Sequence, residues 1–326
     1  MGRKPTMVRG PILDLIRLMD TDYKKSGHKK SEQYLKAEKM LFKKATAQEL
    51  LFIMETGESF EWDIYFKAFL NRKDGQAMID ILDKNIDLDD SDIYKISKVL
   101  IEIGEAKYIY EFIVAIPDLL KRLIYKDGLT GLMNALSKSD DVNTLILVHK
   151  SKKLRSFEDS DKIFNRILEI ASVDTLIRFV NDNFENVNFP NNTNTGYLTE
   201  QDIAWVVDTI CDKATPYELK DAVIYMHSKL TEKQKEQLIN EQIRKTTAEE
   251  DAIYLAQVYV DIKLHPSVRR DILKKIDELD AAEAKEYVLE YGKNEDYERK
   301  ILDPKFLTVE QEEIENILTY FEKRSD

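Results

Sequence analysis

The stretch that most constrains the fold of this chain is residues 92–116, DIYKISKVLIEIGEAKYIYEFIVAI. Each half repeats apolar side chains every three or four residues, which is the spacing of one face of an α-helix. Gly104 separates the two halves, where the left-handed conformation that ends many helices costs glycine little. Asp92 is expected to cap the first helix and Pro117 to end the second. The stretch therefore predicts two short helices whose outer faces need a neighbouring unit.

Weaker copies of this unit occur elsewhere in the chain. Residues 101–113 align without gaps to residues 168–180, and every core-type position stays apolar. Residues 63–82 resemble the same unit, with Gly75 aligned to Gly104 as a second hinge. Equivalent points recur after 29, 36 and 31 residues, near the length of a two-helix repeat. We therefore predict an all-α fold, an irregular two-helix repeat solenoid similar to HEAT, ARM or TPR arrays.

Composition agrees with a helical array and narrows the class of protein. The chain is 43% hydrophobic and 34% charged, and its 326 residues include only ten Gly and seven Pro. This scarcity disfavours β-sandwiches and glycine-rich phosphate loops. Cys211 is the one cysteine, so no internal disulfide can form. The sequence shows neither an apolar leader nor a long apolar run, so we expect a soluble, cytoplasmic protein without a membrane partner.

The charge of the chain is unevenly distributed. Residues 1–44 hold 12 Lys and Arg against 5 Asp and Glu, whereas residues 45–326 have a net charge of −19. We interpret the first segment as a basic N-terminal arm with the first helices, in which residues 20–31 form a flexible loop. An Asn-rich interval at 183–199 is interpreted as a long loop or boundary. It separates two predicted helical-repeat domains, residues 45–182 and 200–326.

Four threonines precede a glutamate or glutamine at the spacing of a capping box, in which each side chain bonds the other residue's backbone N–H. These pairs predict where helices begin. The pairs are Thr46 with Glu49, Thr231 with Gln234, Thr247 with Glu250, and Thr308 with Gln311.

No motif fixes a reaction, a metal or a cofactor. The four histidines are far apart in sequence, and none has the spacing of a zinc site. The acidic run from Asp83 to Asp92 fails the EF-hand pattern, because Leu88 stands where that loop needs glycine. Cys211 reads as a small, partly buried helix residue rather than as a nucleophile. We therefore predict no catalytic residues, no metal and no cofactor.

One pair of residues favours an enzyme. Trp205 and Asp208 lie one helical turn apart, and this pair resembles the Trp and Asp that some HEAT-like DNA glycosylases use. The resemblance implies a DNA-processing activity. The net charge of −19 over residues 45–326 opposes it, because affinity for DNA comes largely from phosphate neutralisation.

Two basic segments are candidate binding sites. Gly2–Pro5, GRKP, resembles the core of an AT-hook, which implies contact with a DNA minor groove. Residues 149–155, HKSKKLR, are typical of a helix end, where cations favour the free carbonyls, but would also suit a phosphate. The candidate binding residues are Arg3, Lys4, Arg9, Lys24, Lys25, Lys29, Lys30, Lys150, Lys152, Lys153 and Arg155.

The first functional hypothesis is a non-enzymatic binding or scaffold protein that recognises a protein partner through a concave surface. The acidic body favours a partner with a basic patch. Exposed positions such as Glu105, Lys107 and Glu111 are expected to carry specificity. The alternatives are a nucleic-acid-associated regulator whose basic arm contacts phosphates, and a DNA-processing enzyme.

Overall fold

The computed structural model is all-helical over the residues that it describes, which are 10–27, 29–56, 61–84, 86–116, 127–151, 160–182 and 198–292. No strand occurs within these ranges, so the predicted all-α class is confirmed. Contacts divide the chain into two compact units, residues 1–169 and 170–326. The predicted boundary at 183–199 lies mostly outside the described residues and stays a prediction.

The helices of the first unit are short. They are α1 (Gly10–Lys25), α2 (Glu32–Lys44), α3 (Ala47–Thr56), α4 (Trp62–Leu70), α5 (Gly75–Asp80), α6 (Asp90–Ile103), α7 (Ala106–Ala115), α8 (Asp127–Leu136), α9 (Val142–Lys150) and α10 (Ser160–Ile170), whose last residue falls in the second unit.

The helices of the second unit are also short. They are α11 (Val173–Asp182), α12 (Glu200–Lys213), α13 (Pro216–Met226), α14 (Glu232–Lys245), α15 (Ala252–Asp261), α16 (Pro266–Glu278) and α17 (Ala282–Tyr291).

The predicted loop at residues 20–31 is wrong over its first half. Asp20–Lys25 continues α1, and only the residues from 26 to Ser31 connect it to α2. Ser31 accepts from the backbone N–H groups of Gln33 and Tyr34, which caps α2. Lysine favours helices even where apolar periodicity is absent, so a charged run need not be a loop. The arm residues 1–9 lie outside the described ranges.

Capping side chains determine where most of the described helices begin. Thr46 and Glu49 form the predicted reciprocal bonds, with Thr46 N to Glu49 Oε2 at 2.9 Å and Glu49 N to Thr46 Oγ1 at 3.2 Å. The predicted cap at Asp92 is wrong, because Asp89 accepts from the backbone N–H of Asp92 and starts α6 one turn earlier. Gly104 ends α6 in the left-handed region at φ 75°, as predicted.

Threonine caps recur in the second unit. Thr199 and Thr215 begin α12 and α13 in full capping boxes that the sequence reading missed, and the predicted box at Thr231 begins α14. The predicted box at Thr247 is absent. Residue 246 caps the end of α14, and a 3₁₀ turn at Glu249–Asp251 leads into α15. The pair at Thr308 lies outside the described residues.

Helices contact the next helix but one along the chain. In the first unit α3, α5, α7 and α9 form one series of neighbours, and α4, α6 and α8 form another. In the second unit the two series are α11, α13, α15, α17 and α12, α14, α16. We call these the odd row and the even row of each unit. The apolar side chains of both rows make up the core, so each helix is buried by its row neighbours as well as by its hairpin partner.

Polar side chains join row neighbours at a recurring sequence separation. The donor and acceptor of each link belong to adjacent helices of one row or to their ends. The links are Trp62 to Asp92, Lys84 to Glu55, Gln48 to Asp80 and Gln237 to Asp208, whose partners are 30, 29, 32 and 29 residues apart. This separation matches the repeat length inferred from the sequence.

Lysine side chains donate hydrogen bonds to the backbone carbonyl oxygens at the carboxyl ends of two helices. Lys245, the last residue of α14, donates its ammonium to carbonyl oxygens at the end of α12, those of Cys211 (2.6 Å), Asp212 (3.1 Å) and Ala214 (2.8 Å). Lys213, at the end of α12, donates in the same way to Ala171 O at 3.3 Å. The last carbonyls of a helix have no partner within the helix and carry partial negative charge, so a cation from the next helix stabilises both.

The first unit uses arginine for the same purpose. Arg166 Nε donates to Ser139 O at 3.1 Å, just beyond the end of α8. Arg72, which follows α4, donates to the carbonyl oxygen of Phe42 near the end of α2. Side chain to backbone bonds at the carboxyl ends of helices thus occur in both units.

Gly75 does not act as a second hinge. It lies in the first turn of α5, whereas Gly104 ends α6 in the left-handed region. A Cβ atom at residue 75 would lie 2.2 Å from Cδ2 of Tyr108 on α7, so only glycine allows these odd-row helices to approach this closely. The aligned glycines therefore meet different constraints, one of packing and one of backbone conformation.

We predict that Lys245→Met lowers the free energy of unfolding by about 1–3 kcal/mol, because three helix-end carbonyls lose a charged donor. Urea unfolding followed by far-UV circular dichroism measures this. Lys233→Met is the matched control, since Lys233 is exposed on the same helix, and it should change stability by less than about 0.5 kcal/mol. Equal effects of the two substitutions would contradict the capping role.

We predict that Gly75→Ala is destabilising by about 1–3 kcal/mol through overpacking against Tyr108. In an open helical position the same change stabilises by up to about 1 kcal/mol. Gly10→Ala provides that reference, because no atom lies within 4 Å of its added Cβ. In a Tyr108→Ala background the cost at residue 75 should disappear. A cost that persists there would show that the ring is not its cause.

Candidate protein-binding surface

Two tyrosine rings from different odd-row helices meet on the outside of the second unit. Tyr217 lies in the first turn of α13 and Tyr254 in the first turn of α15, and their ring centroids are 5.3 Å apart in a T-shaped arrangement. Tyr217 is 48% exposed. An exposed aromatic pair of this kind offers a rigid, amphipathic contact area.

A lysine ammonium lies over this pair. Lys220 Nζ is 4.2 Å from the ring centroid of Tyr217 and 5.9 Å from that of Tyr254, which places it within cation–π distance of both. The same ammonium forms a 2.8 Å ion pair with Asp221. The chain thus assembles a cation site from two rings and one carboxylate, and fills it with its own lysine.

Local sequence positions these groups. The Thr215–Glu218 capping box and Pro216 in the first turn fix where α13 begins. The buried side of α13 is then Leu219, Ala222, Val223 and Met226, which leaves Tyr217 on the opposite side and Lys220 on the flank between them. The surface therefore follows from the capping of one helix and from its amphipathic pattern.

A second tyrosine pair lies further along the same row. Tyr287 and Tyr291 are one turn apart on α17, with ring centroids 4.7 Å apart and a tilt of 43°. Burial and the carboxylate of Asp261 on α15 raise the pKa of Tyr287. A hydrogen bond with Glu290 raises the pKa of Tyr291. Both phenols accordingly stay neutral at physiological pH, next to negative carboxylates.

We call these two tyrosine pairs and the charged groups beside them the tyrosine surface. It spans α13, α15 and α17 of the second unit. Its residues are Tyr217, Lys220, Asp221, Tyr254, Asp261, Tyr287, Glu290 and Tyr291. Tyrosine is enriched in protein interfaces because it contributes a large area and a hydrogen-bonding group at low entropic cost.

The sequence reading missed the tyrosine surface. A partial signal is present in EYVLEY, where Tyr287 and Tyr291 have the i, i+4 spacing of helix neighbours. The pair between Tyr217 and Tyr254 has no such signal, because the two residues are 37 positions apart and meet only through row packing.

The predicted basic residues fall into separate groups. Lys24 and Lys25 end α1 and are exposed, as is Lys29. Lys150 ends α9 and is half-buried. The remaining predicted cations lie outside the described residues: Arg3, Lys4, Arg9, Lys152, Lys153 and Arg155. The binding role of all of these residues stays a prediction.

Lys30 has a structural role. Its ammonium forms ion pairs with Glu38 at 3.0 Å and with Glu61 at 2.9 Å, and its side chain is only 21% exposed. Burial opposes the charge, but hydrogen bonds to Glu61 and Glu38 prevail and raise the pKa of Lys30. This lysine therefore links α2 to the start of α4, and its role in ligand binding stays a prediction.

The positions predicted to carry specificity lie on α7 or beside it. Glu105 precedes the helix and is exposed, and Lys107 is exposed with its ammonium 5.6 Å from the ring centroid of Tyr108. Glu111 is half-buried. Their part in recognition stays a prediction.

Three residues bear on enzymatic chemistry: the pair Trp205 and Asp208, which favoured an enzyme, and Cys211, which was predicted not to be a nucleophile. Asp208 accepts a 2.6 Å hydrogen bond from Gln237 of the neighbouring even-row helix, while Trp205 is 44% exposed. Burial, followed by the carboxylates of Glu241 and Asp208, raises the pKa of Cys211 to about 11, which disfavours the thiolate that nucleophilic chemistry needs.

The described part of the chain contains no group of three or more His, Cys, Asp and Glu side chains that could hold a metal ion. Within that part, no helix is both long enough and apolar enough to span a bilayer.

Comparison with known proteins found no matching family model, no matching curated protein and no matching solved structure.

Proposed function

We propose that the chain is a non-enzymatic helical-repeat array that recognises a protein partner, and that the tyrosine surface is part of the recognition surface. The observation that carries the proposal is two tyrosine–tyrosine contacts on helices of one row of the second unit, one between α13 and α15 and one within α17. Exposed tyrosines in mutual contact, flanked by carboxylates, have the composition of protein-binding surfaces rather than of a solvated helix face.

Packing supports the repeat interpretation. Alternate helices are neighbours in both units, and their polar links recur at separations of about 30 residues. Such stacking leaves one broad surface along each row, which is how repeat proteins present extended binding sites. The predicted concave recognition surface would be one of these rows.

The net negative charge of the chain supports a partner with a basic surface. Residues 45–326 have a net charge of −19, and carboxylates stand beside both tyrosine pairs. Complementary charge raises the rate of encounter and suppresses acidic partners, including nucleic acid, at this surface.

A capture experiment tests the proposal. The full-length chain, immobilised and treated with nuclease, should retain a specific protein from an extract of its native cells. Tyr217→Ser combined with Tyr291→Ser should reduce that capture at least about tenfold, because both side chains are 48% exposed and large aromatic contacts dominate interfaces.

The control replaces exposed apolar residues of the first unit, Val114→Ser with Leu147→Ser, and should capture the same protein at the wild-type level. Equal capture by all three chains would contradict the proposed surface. The nucleic-acid alternative would be favoured if the chain retained nucleic acid in place of protein and lost it when Lys24, Lys25 and Lys29 are substituted by Gln.

A further inference from the structure

The two tyrosine pairs of the tyrosine surface differ in their contacts with cations. Lys220 lies over Tyr217 and Tyr254, whereas within the described chain no lysine or arginine lies over Tyr287 or Tyr291. Both pairs have ring centroids about 5 Å apart, and both have a carboxylate beside them. Among the described residues, one pair thus has a cation from its own helix and the other has none.

We propose that the Tyr287–Tyr291 pair, with Asp261 and Glu290, is a receptor for an arginine or lysine side chain of the protein partner. This inference rests on the proposed function and names the chemistry that the partner must bring to α17. The filled pair shows in the same row which ligand such an arrangement takes.

Electrostatics favours a cation at this place. The faces of both phenol rings carry negative potential, and the charges of Asp261 and Glu290 add to it. Tyr291 is 48% exposed, so an incoming basic side chain would also cover part of its ring with methylene groups. Lys285, the one lysine within α17, is occupied by Asp277 at 3.3 Å and Asp280 at 3.0 Å.

Arginine fits the arrangement better than lysine. A planar guanidinium stacks on an aromatic ring and can donate to two carboxylates at once, whereas an ammonium acts as a point charge. An acidic partner segment would be repelled by the carboxylates, and an uncharged segment would lack the charge attraction to them.

A labelled peptide tests the inference with the full-length chain. The probe is a fluorescein-labelled peptide of alternating arginine and serine, and its control contains citrulline, which keeps the shape of arginine without the charge. Fluorescence anisotropy at low ionic strength gives the Kd. Wild-type chain should bind the arginine peptide and bind the citrulline peptide at least about tenfold more weakly.

Substitutions locate the binding site. Tyr287→Leu with Tyr291→Leu should raise the Kd for the arginine peptide about 5- to 30-fold, because two ring faces are lost. Tyr287→Phe with Tyr291→Phe keeps the rings and should stay within about twofold of wild type, which separates recognition from misfolding. Tyr225→Leu is the matched control on α13, where the side chain is 62% exposed, and should leave the Kd unchanged.

Three outcomes of the peptide measurements would overturn the inference. The citrulline peptide binds as tightly as the arginine peptide, or the leucine variant binds as wild type does. The third is that Lys293→Gln strengthens peptide binding. That result would show that Lys293 of the chain itself, rather than a partner, occupies the Tyr287–Tyr291 pair. Capture of a natural partner by the leucine variant at the wild-type level would also contradict this inference, but it would leave the proposed function standing. Failure of the wild-type chain to capture any protein would contradict the proposed function itself.

Discussion

The structure depends on satisfying the carboxyl ends of short helices. The longest described helix, α1, has 16 residues, and helices of this size are marginal on their own in water. Each also leaves several carbonyl oxygens unpaired at its end. Lys245, Lys213 and Arg166 each donate to such oxygens, and each lies on the next helix but one along the chain. The end of a helix is thus completed by a later helix, so capping and packing between these helices stabilise the same contact.

Helices and their local signals could be predicted from the sequence, because amphipathic spacing and capping side chains act over a few residues. Thr46, Thr231 and Gly104 behave as predicted. The cap at Asp92 was wrong because Asp89, one turn earlier, offers the same chemistry. Two candidate caps so close together cannot be ranked by local pattern alone.

Contacts between helices could not be predicted in the same way. The carbonyl oxygens that Lys245 meets belong to the backbone and leave no trace in the sequence. Gly75 and Gly104 look equivalent in the alignment, yet one permits close packing against Tyr108 and the other a left-handed turn. The candidate site shares this limit, since Tyr217 and Tyr254 become neighbours only when α13 and α15 pack. The proposal of a basic partner rests on charge composition, which is read directly from the sequence.

Zero-length cross-linking tests the row packing most directly. A carbodiimide joins a lysine to a carboxylate when the two groups lie within direct reach of each other, and three ion pairs bring together residues about 30 apart: Lys30 with Glu61 (2.9 Å), Lys73 with Glu102 (2.9 Å) and Lys84 with Glu55 (2.7 Å). Peptide mass spectrometry of the treated monomer should recover all three links. Recovery only of links between residues three or four apart, with none of these three, would contradict the arrangement of alternate helices in rows.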